Sequence, residues 1–203
     1  MYYTILKTEK KNLDLNSDEW SRANTAMVAT KNWGEDVYCP NTEVKVLANS
    51  EGLFLRYETE ETELICDCKN LNEDVFKESC VEFFFKPDPD NANYFNFEFN
   101  AIGTPLIGFG TGRAPLRCRL DIPDISIFGI ESEIKEKGFA IKIFIPYSFL
   151  LMHVEKIGDY FLGNFQKCKE LGDNPHYITY YPIRTPKPDF HRPEFFDKIL
   201  IEK

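Results

Sequence analysis

The sequence lacks long apolar runs, has few basic residues for its acidic ones, and shows almost no helical periodicity. No window in its 203 residues approaches the 18 consecutive apolar residues that predict a transmembrane helix. The first 20 residues contain no apolar stretch of signal-peptide type, so the chain as written is expected to be cytoplasmic, with an exported form if a leader was removed. With 24 Lys and Arg against 33 Asp and Glu, the net charge is −9. This balance excludes general binding to nucleic acid or to anionic membranes.

Cysteine spacing gives no redox or zinc signature, because no C-x-x-C pair occurs among the six cysteines. Cys66 and Cys68 fall in a strand-like run, which places their side chains on one face about 7 Å apart, an awkward distance for a mutual bridge. We therefore expect mostly buried, reduced thiols that pack as small hydrophobic groups, with no metal site.

The composition is that of a folded, sheet-rich protein. Apolar residues make up 43% and charged residues 28%, which excludes wholesale disorder. The aromatic fraction of 15%, with 18 Phe and 10 Tyr, favours sheets over helical bundles. Alternating apolar and polar residues predict short strands over residues 42–47, 53–57, 63–68, 80–86, 94–100, 116–120, 125–133, 139–145, 160–166, 177–183 and 198–202. Only residues 147–154 resemble a helix. This pattern predicts one domain, residues 1–203, folded as an antiparallel β-sandwich of jelly-roll type with at most one or two short helices.

The most regular of these strands, residues 94–100, carries two chemically different faces. Three phenylalanines point one way, and the opposite side carries Tyr94, Asn96, Glu98 and Asn100. That polar side fits either an outer sheet face in water or a concave surface that binds sugar. Periodicity alone does not choose between the two.

Acidic residues offer two further candidates. Glu82 and Glu98 lie on strands and could form the carboxylate pair that a glycosidase requires. Loop acids in two places, Asp88 with Asp90 and Asp121 with Asp124, could hold calcium, although turn formation explains them as well. With 33 acidic residues in the chain, neither pairing is informative by itself.

Basic and imidazole side chains concentrate in loops. Residues 108–113 (GFGTGR) lack the order of a phosphate-binding loop, so Arg113 is expected to be a single basic contact on a flexible loop. His176 and His191 have no third metal ligand at a recognised spacing, and structural hydrogen bonding is the better interpretation. Four prolines at 182–193 fix the shape of the aromatic and basic segment between residues 176 and 196.

An ordered set of short segments covers nearly the whole chain and carries a family resemblance. The segments are Trp20, Pro40-x-Thr42, residues 53–55, residues 81–85 with Pro87, Tyr94-x-x-Phe97-Glu98-Phe99-Asn100 with Gly103, Ile143-x-Ile145-Pro146, residues 163–165, residues 176–177 and residues 188–196. Together they resemble the carbohydrate-binding module family 9-like domains, including standalone bacterial proteins of that group. Two positions depart from the family pattern: Tyr180 stands where a Trp is expected, and Asp197 follows Phe196 where a Gly is expected.

The resemblance implies a β-sandwich without catalytic residues, which binds a mono- or oligosaccharide between aromatic rings near one end. It implies no obligatory cofactor, structural calcium in some members, and a place in bacterial polysaccharide use, with xylan among the expected polymers. On this basis Tyr180 or Tyr181 is the expected stacking platform, near the prolines and away from the hairpin at residues 135–138. The expected polar contacts are Arg113, Lys167, Asn164 and His176, with Glu98, Asn100, Arg184 and His191 around them.

Two other functions remain open from the sequence. A glycoside-active enzyme would place two carboxyl groups facing each other over a cleft. A protein-interaction module would present a flat apolar face. A sugar-binding protein would instead surround an exposed ring with polar groups.

Overall fold

Residues 2–202, the part of the chain that this computed structural model describes, form fourteen strands and one four-residue helix. The strands are β1 (Tyr3–Lys7), β2 (Thr25–Met27), β3 (Thr30–Lys31), β4 (Asn41–Ala48), β5 (Gly52–Glu60), β6 (Cys80–Lys86), β7 (Tyr94–Asn100), β8 (Pro105–Gly110), β9 (Arg117–Arg119), β10 (Glu131–Lys135), β11 (Gly138–Pro146), β12 (Tyr160–Lys169), β13 (His176–Thr179) and β14 (Asp197–Ile201). The helix is α1 (Tyr147–Leu150). Within the described residues, no helix combines the length and apolar character needed to cross a membrane.

The strands form two layers joined by the first strand. One sheet has the order β9-β8-β7-β6-β12-β14-β1, with β13 beside the later half of β12 and β3 beside β13. The other has the order β10-β11-β5-β4, and β2 also pairs with β4. Strand β1 runs parallel to β14 and then parallel to β4, so it passes from one sheet to the other. The remaining pairs are antiparallel, and the predicted β-sandwich with at most one or two short helices is confirmed.

The main core lies between the two sheets and follows the predicted alternation. Phe95, Phe97 and Phe99 of β7 are all at most 2% exposed and face this core. Opposite them, β5 contributes Tyr57, whose hydroxyl donates a 2.6 Å hydrogen bond to the backbone oxygen of Glu82 in the first sheet. Burial of one such aromatic side chain stabilises the fold by about 1.5–3 kcal/mol, so this layer holds the sheets together.

A second apolar cluster covers the other face of the first sheet. It comprises Val75, Cys80, Phe84, Tyr94, Leu106, Cys168, Ile183, Phe190 and Phe196. The cluster joins four strands (β6, β7, β8 and β12) to the segment after β13 and to the turn around residue 75, so both faces of this sheet are buried. The polar side of β7 is therefore not in water: each of its four residues is at most 2% exposed.

Two predicted strands are wrong in detail. Residues 63–68 form no strand, because the Glu78 carboxylate accepts the backbone N–H groups of Asp67 and Cys68 and so replaces a neighbouring strand. Residues 125–133 begin as a 3-10 turn rather than a strand. Asp124 caps that turn by accepting from the Ser126 N–H, and Gly129 ends it at a φ of 45°. Strands β1, β2, β3 and β8 were not predicted.

Candidate functional site

A cavity of about 150 Å³ opens on the outer face of the first sheet, beneath the proline-rich segment. Its floor comes from β6, β7 and β12, one side from β9 and the loop before it, and the other from β13 and residues 188–191. The lining residues are Phe76, Glu82, Phe84, Glu98, Arg113, Arg117, Arg119, Cys168, Glu170, Tyr177, Pro188, Asp189, Phe190 and His191. The cavity therefore combines aromatic rings, guanidinium groups and buried carboxyl groups.

Glu98 supplies an unsatisfied hydrogen-bond acceptor at the cavity floor. The residue is 2% exposed, and its Oε1 accepts from the Asn96 side-chain amide at 2.8 Å and from Arg117 at 3.5 Å. Its Oε2 is buried and has no hydrogen-bond partner among residues 2–202. Burial raises the pKa of Glu98 to about 7, against the opposing attraction of Arg117. A buried acceptor without a partner costs about 1–3 kcal/mol, which a ligand hydroxyl in the cavity would offset.

Glu82 lies next to Glu98 on the neighbouring strand, in direct register across β6 and β7. The Cys168 thiol donates to its Oε1 at 3.0 Å, and the Cys80 thiol lies 3.8 Å from the same oxygen. Burial, followed by the neighbouring Cys168 and Glu98, raises the pKa of Glu82 well above its usual range. Glu82 is thus a buried group already engaged by two thiols.

Aromatic rings form the wall opposite the arginines. The Tyr177 and Phe190 rings are 6.1 Å apart at 73°, and Trp33 packs behind both at 6.4 and 5.9 Å. The Trp33 indole N–H donates to the backbone oxygen of Thr185 at 2.9 Å, which fixes the segment that carries Phe190. The Tyr177 hydroxyl donates to Glu170 at 3.0 Å. Ring packing and hydrogen bonds within the protein therefore hold this wall in position.

His191 closes the floor as a neutral imidazole. Its Nδ1 lies 2.7 Å from the Tyr94 hydroxyl, and its ring packs 4.8 Å from that of Phe84. Burial, with nearby Arg117 and Arg113 adding to it, lowers the pKa of His191 to about 2. The ring is uncharged at neutral pH and takes part in packing and hydrogen bonding.

Three arginines line the rim and differ in how strongly they are engaged. Arg113 pairs with Asp189 at 2.9 Å and Arg119 with Asp74 at 2.6 Å, both in exposed surroundings. The side chain of Arg117 is 11% exposed and, within the described part of the chain, its one polar side-chain contact is that to Glu98 at 3.5 Å. Arg117 therefore keeps donor capacity directed to the cavity, since a guanidinium group carries five N–H donors.

Of the residues predicted for the site, the structure brings three to the cavity: Glu98, Arg113 and His191. Glu98 and His191 lie on the floor, and Arg113 lies at the rim. The expected single basic contact from the 108–113 loop is therefore one of three arginines.

The expected stacking platform lies on the opposite side of the sheet. Tyr181 is 8% exposed, its hydroxyl donates to the backbone oxygen of Lys198, and it borders a separate shallow depression instead of the cavity. Tyr180 is half-buried against Tyr3 and Phe165 in the main core. Neither tyrosine lines this cavity, because both side chains pack with the main core.

Two predicted polar contacts are buried ion-pair and packing groups. Lys167 is fully buried, with its Nζ 2.9 Å from Glu61. His176 is also fully buried, packs against Tyr38 and bonds through Nδ1 to the backbone oxygen of Asn174. Both side chains leave their strands on the side of the main core, so neither contacts the cavity.

The last three predicted residues do not line the cavity. Two of them form hydrogen bonds within the fold, and the third lies on another part of the surface. Asn164 makes a two-way hydrogen bond with the backbone of Tyr181, at 2.9 and 2.8 Å. The Asn100 amide donates to Glu78 and to the Cys68 backbone oxygen. Arg184 is exposed at a shallow depression outside the cavity.

The sequence reasoning missed Tyr177 and Arg117, the ring and the guanidinium best placed for a ligand. Tyr177 is adjacent in sequence to the predicted His176. What the sequence left open was which of these two side chains faces the cavity. Arg117 carried a weaker signal, since it opens a short strand that pairs with β8.

Three of the four loop acids considered for calcium make other contacts within the fold. Lys156 lies 2.9 Å from Asp90 and 3.7 Å from Asp88, so an ammonium group already contacts both carboxylates of that pair. Asp124 is used as a turn cap. In residues 2–202, the side-chain donors that converge at ligand distance are two thiols and one carboxylate, a set unsuited to calcium.

Comparison with known proteins agrees with this architecture. A family model described as carbohydrate-binding family 9 matches residues 13–201. A Bacteroides uniformis protein for which carbohydrate binding is proposed has a TM-score of 0.83 at 22% identity, with 99% of each chain covered. A family 9 carbohydrate-binding module of Caldicellulosiruptor kristjanssonii, solved with glucose and with cellotriose, has a TM-score of 0.67 at 14% and 13% identity. The match covers 98% of this chain and 95% and 93% of that one. No curated protein matches the chain.

Proposed function

The chain belongs to carbohydrate-binding family 9, and from this premise we propose that the cavity beneath the proline-rich segment binds a sugar without cleaving it. The observation that carries the proposal is the Oε2 of Glu98, which has no hydrogen-bond partner in the described part of the chain and is buried at the floor of a cavity walled by aromatic rings. Sugar hydroxyls are donors and acceptors at once, so Glu98 can accept from one hydroxyl while Arg117 donates to its neighbour. The Tyr177 ring can pack against the apolar C–H face of the same sugar.

The size of the cavity favours a small ligand. Its volume of about 150 Å³ is below the roughly 300–1,000 Å³ of sites for drug-sized molecules. We therefore propose a monosaccharide or the end of an oligosaccharide as the ligand, rather than the middle of a polymer. The Caldicellulosiruptor module binds glucose and cellotriose, which makes glucose and its β-linked oligomers the first ligands to test. Xylan and a place in polysaccharide use remain part of this proposal.

Binding without hydrolysis is supported by the position of the carboxyl groups. Glu82 and Glu98 lie side by side on adjacent strands of the floor instead of facing each other across a cleft. Glu82 also accepts from Cys168, so one member of the pair is engaged in the fold. A protein-interaction role is less favoured, because the site is a recess with a charged floor and not a flat apolar face.

Calorimetric titration with glucose, cellotriose and a xylo-oligosaccharide tests the proposal. We expect one site per chain and no release of reducing ends on prolonged incubation. Tyr177→Ala should weaken binding about fivefold or more, since loss of a packed ring commonly costs 1 kcal/mol or more. Arg117→Ala should weaken it by a similar factor through the lost charged donor.

Tyr2→Ala is the matched control, because Tyr2 is 50% exposed and lies outside the cavity lining. It should bind sugar as the unmodified protein does. The proposal is wrong if a bound sugar is indifferent to Tyr177→Ala and Arg117→Ala in folded protein, or if no member of a broad glycan array binds.

A further inference from the structure

Two thiols and a carboxyl group meet at the cavity floor although they are distant in sequence. Cys80 and Cys168 lie directly opposite each other in the antiparallel pair of β6 and β12. Glu82 is two residues beyond Cys80 and therefore points to the same face. One ligand atom from each of the three residues lies within 4.8 Å of the other two. All six cysteines are free thiols, so neither sulfur is taken up by a disulfide.

We propose that Cys80, Glu82 and Cys168 form a zinc-binding site at the floor of the cavity. Thiolate sulfur and carboxylate oxygen together are ligands of zinc, whereas calcium and magnesium require oxygen alone. Two sulfurs at about 2.3 Å from a tetrahedral zinc lie about 3.8 Å apart. Closing the cluster from 4.8 Å requires side-chain movements of about 1 Å or less, which χ1 rotation of cysteine on a fixed strand provides.

The cluster lies beside the cavity, from which water would supply the fourth ligand of a tetrahedral zinc. Glu98 is the cross-strand neighbour of Glu82, and its buried Oε2 has no hydrogen-bond partner among residues 2–202. Glu98 flanks the cluster, since its oxygens are not among the ligand atoms that converge within 4.8 Å. Glu82 and Cys168 both line the cavity, so an ion can enter from solvent without unfolding the chain.

The charges around the cluster also suit a cation. In its absence, the Cys168 and Cys80 thiols both point to the Oε1 of Glu82, at 3.0 and 3.8 Å. Zinc would displace these thiol protons to solvent and bind both sulfurs as thiolates. Two thiolates and one carboxylate exceed the charge of zinc by one. The Arg117 guanidinium, 3.5 Å from Glu98, supplies a compensating positive charge nearby.

The experiment titrates the full-length chain, reduced and freed of metal with a chelator, with cobalt(II) and then zinc(II), without sugar. We expect one cobalt per chain, a thiolate-to-cobalt charge-transfer absorption, and displacement by one equivalent of zinc. Cys80→Ser and Cys168→Ser should each weaken metal binding at least tenfold and reduce the absorption. Cys118→Ser is the matched control, because Cys118 is exposed, pairs with Phe109 of β8 and is not part of the cluster. This variant should bind cobalt and zinc as the unmodified chain does.

A second measurement needs no variant and therefore does not depend on mutant folding. X-ray absorption at the zinc edge, measured on the unmodified chain loaded with one equivalent of zinc, should show two zinc–sulfur distances of about 2.3 Å. The site is refuted if no thiolate-to-cobalt absorption forms, if it survives both floor substitutions, or if the zinc spectrum shows no sulfur ligand. Because sugar affinity is measured separately on metal-free protein, failure of this site and failure of sugar binding are distinguishable.

Discussion

The buried Glu98 carboxyl group should make sugar affinity and protein stability respond to pH in opposite directions. Burial raises its pKa to about 7, with Arg117 and the Asn96 amide opposing the shift. The Glu98 carboxyl group therefore changes its charge within the pH range in which binding experiments are usually done. The ionised form is the better acceptor for a sugar hydroxyl, and the neutral form is the one that the buried floor favours.

The effect on binding follows from the ionised fraction. A carboxyl group with a pKa of about 7 is roughly one-tenth ionised at pH 6 and nine-tenths ionised at pH 8. Apparent affinity is proportional to the binding-competent fraction, so affinity should rise about tenfold from pH 6 to pH 8. Glu98→Gln removes this dependence, and it should weaken binding at pH 8 by about tenfold or more, since a hydrogen bond to a charged group contributes about 1.5–3 kcal/mol.

The effect on stability has the opposite sign. The pKa of Glu98 is about 7 in the folded chain and near 4.5 when unfolded. Its proton-linked stabilisation is fully present below about pH 4.5 and is lost as pH rises to about 7. The difference is at most about 3 kcal/mol, or roughly 6–12 °C in melting temperature for a chain of this length.

Calorimetry at pH 6, 7 and 8 and thermal unfolding from pH 4.5 to 8 measure both effects. The informative quantity is the difference between the unmodified protein and Glu98→Gln; because Glu98 also helps to raise the pKa of Glu82, this difference reports the two carboxyl groups together. Glu133→Gln, at an exposed position, is the control and should change neither curve. Equal sugar affinity at pH 6 and pH 8, or an unchanged pH response in Glu98→Gln, would refute this account of the floor.

Three further predictions concern stability. A Cβ at Gly163 would lie 2.7 Å from the backbone oxygen of Phe84, so Gly163→Ala should destabilise the fold by about 1–3 kcal/mol; melting unchanged from the native protein would contradict this. Lys167→Met leaves the buried Glu61 carboxylate with Lys169 alone, at 3.4 Å, and should lower the free energy of unfolding in denaturant by about 3 kcal/mol. Sugar affinity should stay the same; a loss of affinity without a loss of stability would instead place Lys167 at the site. Burial lowers the pKa of His176 to about 3, below its usual 6.5, so its contribution is lost as pH falls, by about 2 kcal/mol at pH 5. His176→Asn should flatten this acid limb of the stability curve, and an equally steep limb would show that His176 is not its source.

Much of the fold was predictable because residues in the main core alternate strictly. In β7 and β11 every second side chain is aromatic or branched and points to the opposite sheet. Both strands were predicted to within one residue at either end. The predictions failed for two reasons. At residues 67 and 68, the Glu78 side chain accepts the backbone N–H groups in place of a neighbouring strand. Strand β1 (Tyr3–Lys7) was missed because the strand with which it pairs, β14, lies at the other end of the sequence.

The site was less predictable because it combines distant segments. Glu98, Arg113 and His191 were identified from residue type, yet the zinc candidates are separated by 88 positions (168 − 80) and have no spacing signature. Their proximity depends on the pairing of β6 with β12, which only the assembled sheet defines. A search restricted to short cysteine motifs cannot find such a cluster.

The choice between Tyr177 and Tyr180 shows why strand orientation was the deciding unknown. In a sheet with one face in water, polar residues mark the exposed side, and a register error is easily detected. The first sheet here has both faces covered, so β12 buries Lys167 on one side and Cys168 on the other. The polarity of a residue then no longer shows which face of the sheet its side chain occupies. An error of one residue in the assumed alternation therefore places a core tyrosine at the cavity and a cavity tyrosine in the core. Packing against Trp33 and Phe190 is what assigns Tyr177 to the cavity. The same burial of both faces raises the pKa of Glu98, so the feature that obscured the site in the sequence also gives its floor the chemistry proposed for it.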